Sequence, residues 1–544
     1  MLHLNRKELK NTEAWQSVGI KLPNFDVEEM VAATQQRPTW VHFGAGNIFR
    51  GFIAALQQRL LNTGKAKTGI IAVETYDTDI IDKIYAPYDN LSLLVLMHLD
   101  GSLDQSIIAS ISEGIVASRP SSDGWERVQQ IFQEDSLQMV SFTITEKGYS
   151  LTNTSGELLS DVKLDIEQGP AYPRHLIAKV ASLAYTRYQA GELPIAFVSM
   201  DNCSENGKKL RIAIETIAQS WHDRGLVKDG FLTYLNNGEK VSFPWSMIDK
   251  ITPRPADDVK HKLSEAGVEG MDIICTDKKT FIAPFVNAEV PQYLVIEDNF
   301  PNGRMPLEEA GVYFTDRDTV EKVERMKVTT CLNPLHTALA VFGCVLGYTS
   351  IAEEMKDDSL KNLVERIGYD EGMPVVVDSG ILDSVAFINE VIEKRLPNPS
   401  IPDTPQRIAT DTSQKVAIRF GETIKAYCTH PDLDVTTLDY IPLVIAGWFR
   451  YLMGVDDNGE TFILSPDPML DKLTQYVRDI NLGDTSSYQD NLKLILSNVD
   501  LFGVNLYEVG LGPKIEMYFK ELISEKHAVE RTLKKYLTIP KVER

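Results

Sequence analysis

One short run, Lys327-Val-Thr-Thr-Cys-Leu-Asn-Pro-Leu-His336, gathers an amine, an amide and an imidazole. A lysine amine of tunable pKa gives or takes a proton. An asparagine amide and a histidine imidazole can hold a carbonyl oxygen while it becomes an alkoxide. These are the groups that hydride transfer to a carbonyl needs when no metal assists, provided that a nicotinamide is bound nearby. Such a lysine must titrate well below its ordinary value of ~10.4, and burial beside an oxidised nicotinamide would push it down.

A nicotinamide site is readable upstream. Thr39-Trp-Val-His-Phe-Gly-Ala-Gly-Asn-Ile-Phe-Arg-Gly51 reads as a short apolar strand entering Gly44-x-Gly46, followed by a helix from Phe52 to Leu61. The first glycine permits the tight turn. The second lets the backbone approach a pyrophosphate at the helix N-terminus. The third position of the fingerprint is Phe49 and not glycine, so an ordinary strand-turn-helix remains the alternative. The next strand, Gly69–Glu74, ends in a carboxylate. An acid there hydrogen-bonds a ribose 2′-OH and repels a 2′-phosphate, which favours NAD over NADP. The gap from Gly44 to Glu74 exceeds the usual ~20 residues, which leaves Asp77 as a second candidate.

The elements that must position these groups divide the chain in two. Strand candidates recur at Trp40–Phe43, Gly69–Glu74, Leu93–Met97, Gln138–Thr143, Ile195–Met200 and Tyr293–Ile296, with helical stretches such as Gly124–Gln133 and Gly207–His222 among them. Alternating strands and helices imply a mostly parallel α/β sheet. From residue 316 onward apolar residues take helical spacing, in Thr337–Tyr348, Ser359–Arg366, Leu382–Lys394, Gln414–Tyr427, Tyr440–Met453, Met469–Ile480 and Lys514–Ser524. The fold class is therefore an α/β Rossmann-type domain over residues 1–315 and a mostly α-helical domain over 316–544, with catalysis expected where they meet.

Composition sets outer bounds. A chain of 544 residues exceeds what one core usually organises. Its net charge of −22 argues against nucleic-acid binding and requires a local basic cluster for any anionic substrate. The five cysteines (203, 275, 331, 344, 428) and nine histidines show no metal-ligand spacing, so no metal site is expected. The first residues lack the apolar core of a secretion signal, and no apolar run approaches the ~20 residues of a membrane span. A reduced cytoplasmic protein without membrane association, a monomer or small homo-oligomer, is the expectation.

Nine short motifs, in order, resemble the mannitol dehydrogenase family of long-chain polyol dehydrogenases, which includes mannitol 2-dehydrogenase, fructuronate reductase and tagaturonate reductase. They are Gly44-Ala-Gly-Asn-Ile-Phe-Arg50, Thr143-Ile-Thr-Glu-Lys-Gly-Tyr149, Asp201-Asn-Cys-Ser-Glu-Asn-Gly207, Ser246-Met-Ile-Asp-Lys-Ile-Thr-Pro253, Ile296-Glu-Asp-Asn-Phe-Pro-Asn-Gly-Arg304, Glu324-Arg-Met-Lys327, Asn333-Pro-Leu-His336, Arg407-Ile-Ala-Thr-Asp-Thr-Ser-Gln-Lys415 and Ala446-Gly-Trp-Phe-Arg-Tyr-Leu-Met-Gly454. The resemblance implies that Lys327 is the general acid/base. Asn333 and Asn202 would hold the reacting oxygen, with His336 nearby, and Glu324 would gate a proton path. Asp249, Arg407 and Lys415 would contact the sugar chain. Gly44, Gly46, Asn47, Ile48, Phe49, Glu74, Thr145 and Glu146 would serve the NAD. The implied reaction is reduction of the keto group of fructuronate to mannonate. Tagaturonate reduction, mannitol oxidation and a non-catalytic NADH sensor are the alternatives. A uronate needs a cation for its carboxylate, for which Arg407, Lys415 and Arg254 are candidates.

Structural readings compete for each residue. Asn333 before Pro334 reads as an N-cap and N1 pair, His336 as a core histidine, Asp249 as a turn former, and Arg407 and Lys415 as solubilising charges. The chain also departs from the family pattern, in which the lysine lies one residue nearer to the asparagine. Here Lys327 precedes Asn333 by six residues. In an unbroken helix the extra residue would rotate the lysine by ~100°. A bulge or joint before Pro334 is needed to absorb it. Lys322 is the nearest other lysine.

Overall fold

Trp40–Phe43 is buried on both faces, as a central strand between two helical layers must be. Val41 and Phe43 point into one apolar cluster with Trp125, Phe132, Phe197 and Trp221. Trp40, one residue out of phase with them, points into another with Phe49, Phe52 and Leu60. The computed structural model describes residues 1–119, 122–153 and 155–537. Around this strand it builds a parallel six-stranded sheet ordered Val241–Ser242, Ile195–Ser199, Met139–Phe142, Trp40–Phe43, Ile70–Glu74, Ile111–Val116. In chain order these are strands 6-5-4-1-2-3, the doubly wound arrangement, whose direction reverses between Trp40–Phe43 and Met139–Phe142. Register is direct there, with Val41 opposite Ile71 on one side and Val140 on the other.

Two strands expected in that sheet lie elsewhere. Ser92–Met97 turns back through Gly101, at φ +81°, and pairs antiparallel with Leu103–Ile108. It belongs to a four-stranded sheet with Phe285–Glu289 and Ile20–Lys21. Tyr293–Glu297 pairs antiparallel with Ser246–Asp249 in a three-stranded sheet.

The chain divides into two compact units, Met1–Glu321 and Lys322–Arg544. The second is helical. Its core is built on Asn333–Leu346 and Tyr440–Leu452, each buried along almost its whole length. From residue 500 to residue 537 the chain stays in this fold. Gly512–Leu522 packs on Tyr440–Leu452, and Ala528–Leu537 packs on Asp358–Glu365. The helix expected over Met469–Ile480 is only a turn, Leu470–Leu473, and a 3-10 turn, Thr474–Tyr476. Pro468 precedes these turns and Gly483, at φ +89°, follows them. One helical run, Arg317–Leu346, is long and apolar enough to cross a membrane, but 78% of its most apolar window is buried within the fold.

Candidate active site

The glycine turn lies where the sheet reverses direction. Gly44 has φ +102°, and a Cβ there would stand 2.6 Å from the Thr143 carbonyl oxygen. Only glycine fits that turn. A Cβ on Gly46 would meet nothing within 4 Å, so its backbone stands bare at the helix start. Beside it is a cavity of about 650 Å³, lined by Gly44, Gly46, Asn47, Glu74, Asp77, Thr143, Thr145, Arg174 and His175. Its size and its place at the strand ends fit a dinucleotide.

The helix begins at Asn47, five residues earlier than expected, and passes through a π turn over Phe49–Ile53 before the α-helix Ala54–Asn62. Phe49 occupies the position of the missing glycine. Its ring lies flat on His42, with centroids 4.1 Å apart. Burial pushes the His42 imidazole down to about 3, so it is neutral, and it hydrogen-bonds Ser141 Oγ and Thr143 Oγ1 at 2.6 and 2.8 Å. Close helix–sheet approach is instead made at Gly51, where a Cβ would come within 2.8 Å of Val286.

The cofactor candidates separate into those that line the cavity and those that do not. Glu74 lines it and also clamps the turn. Its Oε2 accepts from the Ala45 amide at 3.0 Å, and its Oε1 accepts from the Thr75 and Tyr76 amides at 2.9 Å. Asp77 lines it too, accepting from Thr276 Oγ1 at 2.7 Å. Asn47 donates to the Pro253 carbonyl and accepts from Arg50, which positions the helix start. Ile48 and Phe49 belong to the apolar packing under the helix. Glu146 points away into an ion pair with Lys209 at 2.7 Å.

Two substrate candidates lie on this unit. Asn202 is exposed, just after Ile195–Ser199. Its loop is anchored by Asp201, which accepts from the Tyr149 hydroxyl and from the Cys203 amide. Burial raises the Asp201 carboxyl to about 6. Asp249 ends the strand Ser246–Asp249 and is buried.

The second unit carries Glu324, Lys327, Asn333, His336, Arg407 and Lys415. Glu324 lies on the helix Arg317–Arg325, one turn before Lys327. The joint required between Lys327 and Asn333 is a π turn over Met326–Cys331. The Leu332 amide bonds the Lys327 carbonyl five residues back, at 3.1 Å. A π turn houses one more residue than an α turn, so the six-residue spacing does not carry the lysine a further ~100° around. Lys327 and Val328 are the partly exposed members of this turn, while Met326 and Thr329–Cys331 are buried.

Leu332 breaks the helix at φ −132°, ψ −61° and takes the cap position; Asn333 is the first helical residue. The N-cap reading of Asn333 is thereby corrected, because the irregular residue falls one position earlier. Among the described residues the Asn333 side-chain amide makes no hydrogen bond; its carbonyl accepts from Thr337 Oγ1 at 2.9 Å. His336 lies in the same turn, with Nε2 3.5 Å from Asp403 Oδ2. Burial, opposed by Asp403, holds the imidazole at about 4, so it is neutral at physiological pH. Asp403 also pairs with Arg407 one helical turn on. Lys415 donates to the Thr410 carbonyl, and burial lowers its pKa. Asp403 was not singled out from the sequence; its four-residue spacing to Arg407 was the available signal. Arg174 and His175 were also missed, since nothing local ties them to the glycine turn. Among the described residues no three His, Cys, Asp or Glu side chains form a set that could hold a metal ion.

Comparison with known proteins gives a consistent picture. The mannitol dehydrogenase Rossmann domain matches residues 38–309, and the mannitol dehydrogenase C-terminal domain matches 319–522. D-mannonate oxidoreductase of Thermotoga maritima is 56% identical over 534 residues, covering 98% of both chains. Mannitol 2-dehydrogenase of Neosartorya fischeri is 28% identical, over 98% of this chain and 99% of its own. The Pseudomonas fluorescens mannitol 2-dehydrogenase ternary complex with NAD and D-mannitol is 25% identical. It superimposes with a TM-score of 0.72 over 99% of this chain and all of that one.

Proposed function

This chain belongs to the mannitol dehydrogenase family and is an NAD-dependent oxidoreductase of CH–OH groups, and we propose that it interconverts fructuronate and mannonate. The observation that carries the substrate is the 56% identity to a D-mannonate oxidoreductase over 98% of both chains. The non-catalytic sensor is not retained. We place the enzyme in the cytoplasm, a reading supported by the free state of all five cysteines.

Gly44, Gly46 and the helix start at Asn47 would hold the NAD pyrophosphate, and Glu74 or Asp77 its adenosine ribose. When bound, the cofactor supplies or accepts the hydride. Every remaining task falls to side chains. In the reductive direction protonated Lys327 gives its Nζ proton to the keto oxygen as charge develops there. Asn333, with its side-chain amide uncommitted, donates to that oxygen. Neutral His336, whose Nε2 has no hydrogen-bond partner among the described residues, holds it from the same helical turn. Asn202 and Asp249 are assigned to the substrate by family resemblance, supported by their places after Ile195–Ser199 and at the end of Ser246–Asp249. Glu324, one turn before Lys327, is assigned the passage of the proton to solvent. We assign proton transfer to Lys327 without a metal; full activity after exhaustive chelation is the expected check.

The test of substrate is NADH consumption by the purified protein with fructuronate, tagaturonate and fructose side by side. A kcat/KM for fructuronate at least tenfold above the other two supports the reading. A preference for fructose moves the chain to the polyol reading that its 28%-identical relatives favour.

A further inference from the structure

Basic side chains gather at the turn that carries Asn333 and His336: Arg419 bonds Thr337 Oγ1 at the next position, and Arg407 pairs with Asp403, which stands 3.5 Å from His336 Nε2. Arg407, Arg419 and Arg395 all act on the His336 imidazole, and Arg419 and Arg407 both act on Lys415. Such a cluster is unexpected in a chain of net charge −22, and Asp403, Asp411 and Asp467 offset only part of its positive charge. Its members are not equally committed. Arg407 is paired with Asp403, and Lys415 donates to the Thr410 carbonyl while Asp411 and Asp467 act on it.

Arg419 differs. It lies on a π turn, Ala417–Gly421, held close to the neighbouring chain because a Cβ on Gly421 would stand 1.9 Å from the Phe502 carbonyl. Its guanidinium is largely withdrawn from water, which lowers its pKa to about 10. Yet among the described residues no carboxylate lies within ion-pair distance, and its hydrogen bond goes to a neutral group, Thr337 Oγ1. A guanidinium has five N–H donors in a planar fork suited to a carboxylate. Thr337 is the next residue after His336 and donates in turn to the Asn333 carbonyl, so the fork is anchored on the helical turn that bears both oxygen-holding groups.

We infer that Arg419 binds the carboxylate of the hexuronate substrate and is the residue that separates sugar acids from neutral polyols. The inference rests on the fructuronate–mannonate reading. It adds a role that Arg407 and Lys415, engaged by Asp403 and by Thr410, do not fill. Arg419 would act on binding and leave the proton transfer to Lys327.

The test compares mannonate with its neutral amide as inhibitors of fructuronate reduction, in the wild type, Arg419→Met and Arg419→Lys. The wild type should prefer the acid by about 100-fold, the usual cost of unpairing a desolvated ion pair. Arg419→Met should abolish that preference and raise the KM for fructuronate by a similar factor, with NADH affinity unchanged. Arg419→Lys, which keeps the charge and loses the fork, should fall between, and it serves alone if the methionine variant does not fold. A wild type that reduces fructuronate, with variants that keep the full acid preference or weaken both inhibitors equally, overturns the Arg419 assignment alone. A wild type that fails to reduce fructuronate overturns the parent reading, and this is seen before any variant is made.

Discussion

Two turns in this protein depart from the short motifs that identify them, and both do so on π-helical backbone. At Phe49–Ile53 a phenylalanine replaces a glycine, and every residue of the turn is buried. At Met326–Cys331 one extra residue separates the lysine from the asparagine, and Lys327 and Val328 are partly exposed. π turns also occur at Ile81–Tyr85, Arg366–Gly372, Val391–Arg395 and Ala417–Gly421, so the geometry by itself does not mark chemistry. What differs is the use. The first turn lets a large ring stack on His42 and fills a core. The second restores the phase between Lys327, the proposed proton donor, and the helix that bears Asn333 and His336. One turn should therefore govern stability and the other rate.

The largest effect is expected at the second turn. Lys327→Ala should lower kcat for fructuronate by 10³–10⁴, the order of the general acid/base contribution, with NADH affinity and melting temperature within error of wild type. Near-normal turnover would remove Lys327 from the reaction. The mirror experiment is Phe49→Ala. Loss of a fully buried ring costs about 3–5 kcal/mol, so the denaturant midpoint should fall clearly while kcat at saturating NADH changes less than threefold. If kcat collapses instead, the first turn is not merely packing.

His336 sharpens the second turn through pH. Burial holds its imidazole at about 4, below the ordinary 6.5. As pH falls from 6.5 towards 4, the unfolded chain takes up a proton that the folded chain refuses. Stability drops over that window, by at most about 3 kcal/mol. His336→Gln should flatten this acid limb, with unfolding measured in urea at pH 7.5, 6, 5 and 4. An unchanged slope would mean that the imidazole is not held neutral. The smallest effect is expected from deleting Val328. If the π turn exists to absorb one residue, its removal lets the segment close as an α turn, and at least a tenth of the activity should remain. Complete loss would show that the wide turn itself is needed.

Much of the fold was legible because apolar runs and periods are local properties. Trp40–Phe43, Ile70–Glu74, Met139–Phe142 and Ile195–Ser199 all stand where short, predominantly apolar runs place them. Leu103–Ile108 was not, because Asp104, Gln105 and Ser106 interrupt its apolar pattern, and without it the hairpin with Ser92–Met97 could not be seen. The helix start at Asn47 was hidden because Phe49-Arg50-Gly51 looks unlike a first turn. Its stability comes from distant partners, such as the Ala283 carbonyl that accepts from Arg50 at 2.8 Å. Lys327, Asn333 and His336 could be singled out as candidates from residue type and motif, and the structure keeps Asn333 and His336 in one helical turn. Burial sets the neutral state of His336, and the charged groups that modify it, Asp403 and Arg419, lie 67 and 83 residues away in the chain and reach it only through tertiary packing. Sequence offered just the four-residue spacings Asp403–Arg407 and Lys415–Arg419.

The most direct test of the central claim follows the transferred hydrogen. Fructuronate is reduced with NADH carrying deuterium at both C4 positions, and the product is examined by NMR. The account predicts mannonate bearing one deuterium on the carbon that was the ketone, with one NADH consumed per mannonate formed. Mannonate without deuterium at that carbon, or NADH oxidation with no mannonate, would contradict it.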